Sequence, residues 1–546
     1  MLRTAVPTRA WPTTPSCQCK RQASHFPASL STAAGPPPPP LPLFAQPSTA
    51  AYAAENPVWQ DPGYLSRYRA PERHDAHARG FETSSRARPS SSKSHTVNAQ
   101  EQPANGNGNG RRVRRNRLEM EALWSGGDAL DSYPLDSYRA QTTRPKHALL
   151  FPGSGSQYVG MGHFLRKEDA AKQVWEEAEE ALDGFEEWRK SLRLHEMDGE
   201  LGELGRMLDA TEKQRGKEAR LRDVVFEGPQ DELTRSSNAQ PAILITSIAF
   251  LRALEKERGL PVALTSSLIL GHSSGEYSAA VAAGALSLRD AVRLTRLHGL
   301  LTHFALSLPS IGLSPDRDAP PALRGQMSAL VLEPGHSHAE LTEVIRKIRA
   351  GRPQQQGSEG TVEVASFNSQ TQVVLAGSRD GILRASEVLR ELEIASRAAD
   401  LPVSAPFHCS FMKPAADGMQ AALTSPSIRI HTPSSPLVSG LDASLITTPS
   451  SLVSNLVSQI SLPVRWSTCL SSLPTQHGVK RLIFLGPGQA LANLARRDAK
   501  LVKEAEVAVG KRSEDDGEEQ DTEVISVATE NDMQRLKERW EEEDRQ

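Results

Sequence analysis

Between Gly271 and Gly275 the chain reads Gly-His-Ser-Ser-Gly. A serine between glycines at that spacing forms a nucleophile elbow when a strand leads in and a helix leads out. Both flanks fit here. Ser267–Leu270 is a short apolar run of strand length, and Glu276–Ala283 has the small and apolar residues of a first helical turn or two. The glycines would let backbone pass where a Cβ would collide. The helix N-terminus behind Ser273 would favour negative charge developing on a substrate oxygen. The chemistry indicated is attack by Ser273, with a covalent ester splitting one hard step into two. A serine hydroxyl is barely ionised at neutral pH, so it needs a base. His272 adjoins Ser273, so its ring should point elsewhere and shape the elbow. The bland alternative is a glycine-rich strand–helix loop; the strand–turn–helix context argues against it.

An elbow needs a sheet and helices to hold it, and the surrounding sequence supplies them. Periodic, globular sequence begins near Pro145. His147–Phe151 reads as a buried strand, followed by a Gly/Ser turn, Pro152–Gln157, and a helix after Gly162. Residues 164–222 are charged and helical, with a polar insert around Glu196–Lys217. Gly228-Pro229 opens another turn and helix, and an apolar helix runs from Gln240 to Ala253. Ser287–Leu306 has apolar residues at helical spacing. After a Pro-rich loop, 307–322, the pattern becomes β-α-β-β-α-β. Its strands are Met327–Leu332, Val362–Ser366, Val373–Ala376 and Ser396–Leu401; its helices are His338–Arg349 and Gly381–Leu392, with 352–360 a polar loop. That order predicts a ferredoxin-like subdomain inserted into a larger one. The larger unit resumes at Pro406-Phe407-His408. Helix Met412–Leu423, strand Leu437–Ser439, helix Leu452–Gln459, strand Arg481–Leu485 and helix Gln489–Arg496 follow. Lys511–Thr522 is an acidic loop, Val524–Ala528 a last strand, and Thr529–Asp532 a helix-start box before Met533–Trp540.

Composition bounds the rest. Hydrophobic content is only 38%, with 38 Gly and 38 Pro in 546 residues, so long segments without fixed structure are expected. Residues 1–145 are the obvious ones. No acidic residue precedes Glu55, whereas Arg3, Arg9, Lys20 and Arg21 stand among Ser, Thr and Ala, as in an organelle-targeting presequence. Pro36–Pro40 is a stiff stretch, and Asn105–Gly110 a flexible linker. Arg111–Arg115 could be an RNA-binding patch or a nuclear signal; a solvated basic linker is the plainer reading. A net charge of −3 gives no global pull towards nucleic acid or anionic membrane. Cys17, Cys19, Cys409 and Cys469 form neither a disulfide framework nor a zinc-ligand pattern, which fits a reducing compartment. No apolar run approaches the about 20 residues of a membrane span.

Sequence-distant stretches point to a family. Besides the elbow there are Phe151-Pro152-Gly153-Ser154-Gly155-Ser156-Gln157, Ala405–Pro414 with Pro406-Phe407-His408, and Gln459–Trp466. Gln240-Pro241-Ala242, Phe367–Gly377 and Gly486-Pro487-Gly488 stand in matching order. Together, over about 147–534, they resemble the malonyl-CoA:acyl-carrier-protein transacylases. The resemblance implies an α/β fold: a hydrolase-like core with a mostly parallel sheet and helices on both faces, plus the inserted ferredoxin-like subdomain. The expected division is 1–145 targeting segment and linker, 146–324 and 403–546 the large subdomain, and 325–402 the small one.

The resemblance also implies roles. Ser273 is the nucleophile and His408 its base. Backbone N–H groups of Gln157 and Ser274 form the oxyanion hole, and the Gln459 carbonyl orients His408. His298, Gln240 and Asn368 stand at positions that contact the acyl group. Ser154 and Ser274 replace the family's usual Gln and Leu. His298 replaces the usual Arg, whose planar fork suits a malonyl carboxylate. Three readings follow: a protonated His298 holds the carboxylate, an arginine from elsewhere takes over, or the acyl group is uncharged. The expected partners are malonyl-CoA and acyl carrier protein, with no nucleic acid or membrane, no cofactor and no metal. The expected enzyme is a monomer of the mitochondrial matrix. Lys413, Arg465, Arg496 and Arg497 are candidates for meeting an acidic carrier. A same-fold acyltransferase for another acyl group or carrier is the alternative; a serine esterase is the third reading.

Overall fold

Strands apolar at every position suit a parallel sheet covered on both sides, and the core is built that way. The computed structural model describes residues 145–212, 219–314, 325–350, 360–508 and 521–545. The presequence-like tail with its basic patch lies outside them, as does all or part of the loops 307–322, 352–360 and 511–522. Strands β1 (His147–Phe151), β2 (Leu268–Gly271), β7 (Leu437–Val438), β8 (Leu445–Ile446), β9 (Arg481–Leu485) and β10 (Glu523–Val527) form one sheet in the order β10-β9-β1-β2-β7-β8. Every pairing is parallel except β7 with β8.

Strand side chains alternate between faces, and two apolar cores result. Leu149, Phe151, Ile269 and Ile483 belong to the larger core, with α3 (Ser236–Arg252), α4 (Gly275–Ala282) and α5 (Leu288–Ala305). Ala148, Leu150, Leu268, Leu270 and Phe484 join α10 (Trp466–His477) and α11 (Ala490–Ala508) on the other face. Helix α3 is buried all round, as a core helix should be. Further larger-core helices include α1 (Asp169–Asp183), α2 (Gly199–Glu212), α8 (Lys413–Leu423), α9 (Pro449–Ser458) and α12 (Glu530–Arg545).

A second sheet comprises β3 (Gly325–Leu332), β4 (Val362–Phe367), β5 (Gln372–Ser378) and β6 (Ala395–Asp400), in the order β4-β5-β3-β6 and antiparallel throughout. Helices α6 (His338–Ala350) and α7 (Arg379–Glu391) cover one face of it through Leu341, Ile345, Ile382, Ala385 and Leu389. Met327, Ala329, Ala365, Val374 and Ala376 on its other face enter the larger core. Phe367 N–H donates to the Val464 carbonyl at 2.9 Å, and Val464 N–H to the Ala365 carbonyl at 2.9 Å, so β4 runs beside the segment leading into α10.

The structure differs from the sequence reading in three places. Much of the expected polar insert is helix α2, docked by buried Leu204 and Leu208, whose spacing with Leu201 is helical. Helix α10 was not expected, because Ser, Thr and Pro474 mask apolar positions at 466, 469, 470 and 473. Helix α11 runs twelve residues past Arg496, to Ala508. The start of α12 is as expected: Thr529 Oγ1 accepts the Asp532 N–H at 3.2 Å, and Asp532 Oδ2 accepts the Thr529 N–H at 3.0 Å. Among the described residues no helix is long and apolar enough to cross a membrane.

Candidate active site

The elbow exists because two positions admit no side chain. A Cβ on Gly271 would lie 2.0 Å from the Gly275 carbonyl carbon, and one on Gly275 would lie 2.6 Å from the Phe151 carbonyl oxygen. Between them Ser273 is held at φ 55°, a conformation L-residues rarely adopt. Such strain costs about 1–3 kcal/mol and persists only where its surroundings enforce it. Ser273 Oγ lies 2.7 Å from His408 Nε2.

His408 is itself at φ 59° and buried. Its Nδ1 is 2.6 Å from the carbonyl oxygen of Gln459, the C-cap of α9. A carbonyl only accepts, so Nδ1 carries the proton and the Nε2 lone pair faces the serine hydroxyl. Burial pushes the His408 imidazole down to about 4, against the opposing pull of the Gln459 carbonyl; nearby His272 adds to the lowering. At neutral pH it is an unprotonated base. Gln459 also reaches back, its Nε2 donating to the Ser273 carbonyl at 3.4 Å. The structure thus brings together Ser273, His408 and Gln459.

The turn Pro152–Gln157 lies against the elbow. The Ser154 N–H donates to Ser274 Oγ at 3.2 Å, and the two hydroxyls are 3.3 Å apart. The Gln157 side chain folds inward, its Oε1 accepting the Gly155 N–H at 2.8 Å. Neither the Gln157 nor the Ser274 backbone N–H has an acceptor among the described residues. Two uncommitted donors beside a serine nucleophile can hold a developing oxyanion.

The expected acyl-binding residues divide. Gln240 is 1% exposed, and its Oε1 has no partner among the described residues. His298 is 5% exposed, with both ring nitrogens likewise unpartnered. Tyr277, whose ring centre is 6.2 Å from that of His298, has an unpartnered hydroxyl too. Burial pushes His298 down to about 3, with the charge of His408 adding to the effect. Burial thus disfavours an imidazolium at this position while no carboxylate stands beside it. Arg296, two residues away, donates through Nη1 to the Ser237 carbonyl at 2.9 Å and to Asn238 Oδ1, which turns it towards the start of α3. Asn368 is bonded to the elbow. Its Oδ1 accepts from His272 Nε2 at 2.9 Å and from the Ser366 hydroxyl, and its Nδ2 donates to Gln372 at 3.4 Å. Through His272 it braces the elbow beside Ser273. Trp466 packs edge-on against the same His272 ring, centroids 5.2 Å apart.

With this geometry in place, the relatives can be compared. Residues 148–306 match the family described as acyl transferase domain. The malonyl CoA-acyl carrier protein transacylase of Bacillus subtilis strain 168 is 34% identical over 354 residues, covering 64% of this chain and 90% of the relative. The chain belongs to the malonyl CoA-acyl carrier protein transacylase family. It is an acyltransferase. Its namesake in Salmonella typhimurium strain LT2 is 30% identical over 351 residues, covering 64% of this chain and 92% of the relative. Among solved structures, the acyl-carrier-protein-S-malonyltransferase of Bartonella henselae superposes with a TM-score of 0.53 at 30% identity, covering 72% of this chain and 98% of that one. A malonyl-transacylase in complex with its type II PKS acyl-carrier protein gives 0.53 at 26% identity, covering 72% and 99%.

Sequence reasoning missed three features of this acyltransferase site. It noted Ser154 and Ser274 separately, without seeing that their hydroxyls meet. It did not place Trp466 or Asn368 against His272. It passed over Glu276, which is 5% exposed and accepts hydrogen bonds from Gly440 N–H at 3.0 Å and Asn455 Nδ2 at 2.5 Å. Only the last had a local signal, a carboxyl one turn after the nucleophile inside an otherwise small and apolar helix. Of the basic candidates, Lys413 pairs with Asp417, and Arg496 bonds Asn493 Oδ1 at 2.8 Å and the Val524 carbonyl at 3.2 Å. The Arg465 guanidinium lies 6.0 Å from the Phe367 ring centre.

Proposed function

We propose that this chain transfers a malonyl group from malonyl-CoA to the phosphopantetheine thiol of an acyl carrier protein, through an ester on Ser273. The observation that carries this reading is the Ser273–His408–Gln459 relay, 2.7 Å and 2.6 Å long, with the imidazole tautomer set for proton abstraction. As Oγ attacks the thioester carbonyl, its proton passes to His408 Nε2. The carbonyl oxygen gains charge against the Gln157 and Ser274 N–H groups. Collapse expels the coenzyme A sulfur, which takes the proton from His408. The carrier thiol then repeats the sequence in reverse, giving its proton to His408 and leaving with the acyl group. Coenzyme A enters as a substrate, and no cofactor is required by these steps.

The family membership supports malonyl as the acyl group. A second reading, an acyl group without a free carboxylate, is favoured by the burial of His298, which disfavours its charged form, with Arg296 turned to the start of α3. Intact-mass measurement after mixing with malonyl-CoA, followed by peptide mapping, tests both. A malonyl adduct on the Ser273 peptide is expected; an adduct elsewhere, or none while acetyl-CoA acylates Ser273, overturns malonyl transfer. We further read the β3–β6 sheet with α6 and α7 as the inserted ferredoxin-like subdomain, supported by its strand order. The presequence-like tail supports a mitochondrial matrix enzyme, acting as a monomer in fatty acid synthesis; import of a fluorescent fusion by isolated mitochondria tests the location.

A further inference from the structure

One buried carboxyl is unused by the chemistry above. Glu276 stands one turn after Ser273 on α4, and no cation pairs with it among the described residues. Its Oε1 accepts the Gly440 N–H, and its Oε2 the Asn455 side-chain amide. Position 440 has room for it only as glycine, since a Cβ there would lie 2.7 Å from Oε1. Asn455 belongs to α9, one turn before Gln459, whose N–H donates to the Asn455 carbonyl at 3.0 Å. One side chain therefore ties the helix behind the nucleophile to the helix whose end holds the base. Burying a carboxyl without a cation is costly to a fold. The Asn455 contact spans the two parts of the site, the Gly440 contact fixes the carboxyl that makes it, and neither reaches the reacting atoms.

We infer that Glu276 is a positioning residue, setting the separation between the Ser273 elbow and the Gln459 end of α9 that His408 has to bridge. The inference rests on the acyl-transfer reading of Ser273 and His408. A misplacement of about 1 Å at a reacting centre costs about 10²-fold. Glu276→Ala removes both arms and should lower kcat about 10- to 100-fold, with KM for the acyl-CoA changed less than about threefold. Glu276→Gln can keep both arms: its carbonyl accepts from Gly440, and its amide donates to Asn455 Oδ1, which has no other partner and turns to face it by an amide flip.

The test measures kcat and KM of the wild type, Glu276→Ala and Glu276→Gln, together with the low-field proton resonance of His408 Nδ1–H. The expected result is a slow Ala variant with that resonance shifted or lost, and a Gln variant with rate and resonance restored. Asn455→Leu, which removes one arm, replaces the Ala variant if that fails to fold, and should lose rate and shift the same resonance. A folded Ala variant with wild-type kcat and resonance overturns the inference. So does a Gln variant as slow as the Ala variant, since charge and not the bridge would then matter. Absence of any acyl adduct on wild-type Ser273 overturns the underlying reading instead, so the two failures are distinct.

Discussion

The two ends of the site are wired in opposite ways. Around Ser273 most polar side chains answer one another: His408 to Ser273 and Gln459, His272 to Asn368, Ser274 to Ser154, Glu276 to Asn455, with Asn455 Oδ1 and Trp466 Nε1 as exceptions. Around His298 they do not: the imidazole, the Gln240 carbonyl and the Tyr277 hydroxyl are buried without partners among the described residues. An unpaired buried polar atom costs about 1–3 kcal/mol. The paired end holds its geometry before any substrate arrives. The unpaired end keeps hydrogen-bonding capacity in reserve, which suits the part that must recognise an acyl group.

Several substitutions break or sharpen that contrast. At the paired end, Ser273→Ala should abolish the covalent adduct, and both it and His408→Ala should lower kcat by about 10⁴-fold or more, as loss of a nucleophile or its base does. Retention of the adduct in Ser273→Ala, seen by mass spectrometry, would move the nucleophile elsewhere. At the unpaired end, His298→Arg should raise kcat/KM for malonyl-CoA about tenfold, the worth of one charge-assisted hydrogen bond. His298→Ala should lower it. Unchanged malonyl kinetics in both variants would leave that side chain without a role.

The pH profile probes the paired end through its base. With His408 held down to about 4, the acid limb of kcat/KM should fall near pH 4 and not near 6.5. The same burial acts on stability. Protons bind the unfolded chain's histidines below about 6.5 but reach the folded His408 and His298 only near 4 and 3, so the contribution of these two rings to stability is complete above 6.5 and is lost as pH drops, while Glu276, raised by burial to about 8, acts in the opposite direction. Between pH 7 and pH 4 the urea midpoint of the wild type should lose ground relative to that of His298→Ala, and parallel series in the two proteins would contradict a buried neutral ring at that position. The smallest expected effect is at the Ser154–Ser274 pair. Either Ala substitution should lower kcat about three- to tenfold, and the double variant little more, since both remove the same contact.

Much of the fold could be read from local pattern. The strand before the elbow, the elbow and the helix after it are contiguous in sequence, so composition alone identified them. The helix-start box at Thr529 was equally legible, because capping is a matter of residues three apart. His408 was found only through family resemblance, since nothing in its neighbourhood separates it from other histidines in Pro-rich turns. The bracing of His272 by Asn368 and Trp466 joins segments far apart in the chain, and no periodicity reports such a meeting. Helix α10 was hidden because its other positions are mostly Ser and Thr, with Pro474 inside it, which weaken helical propensity although Trp466, Cys469, Leu470 and Leu473 keep the core spacing.

The position of β1 bears on how the chain is made. It sits between β2 and β9 at the middle of the sheet, yet β9 begins only at Arg481. During synthesis from the N-terminus, an apolar strand therefore waits with one bare edge while most of the protein emerges. Such an edge is a template for pairing with other chains. His408 and Gln459 also come late, so a nascent chain already long enough to form the elbow still has no base to activate it. The enzyme should depend on chaperones during translation more than its finished, well-packed core suggests.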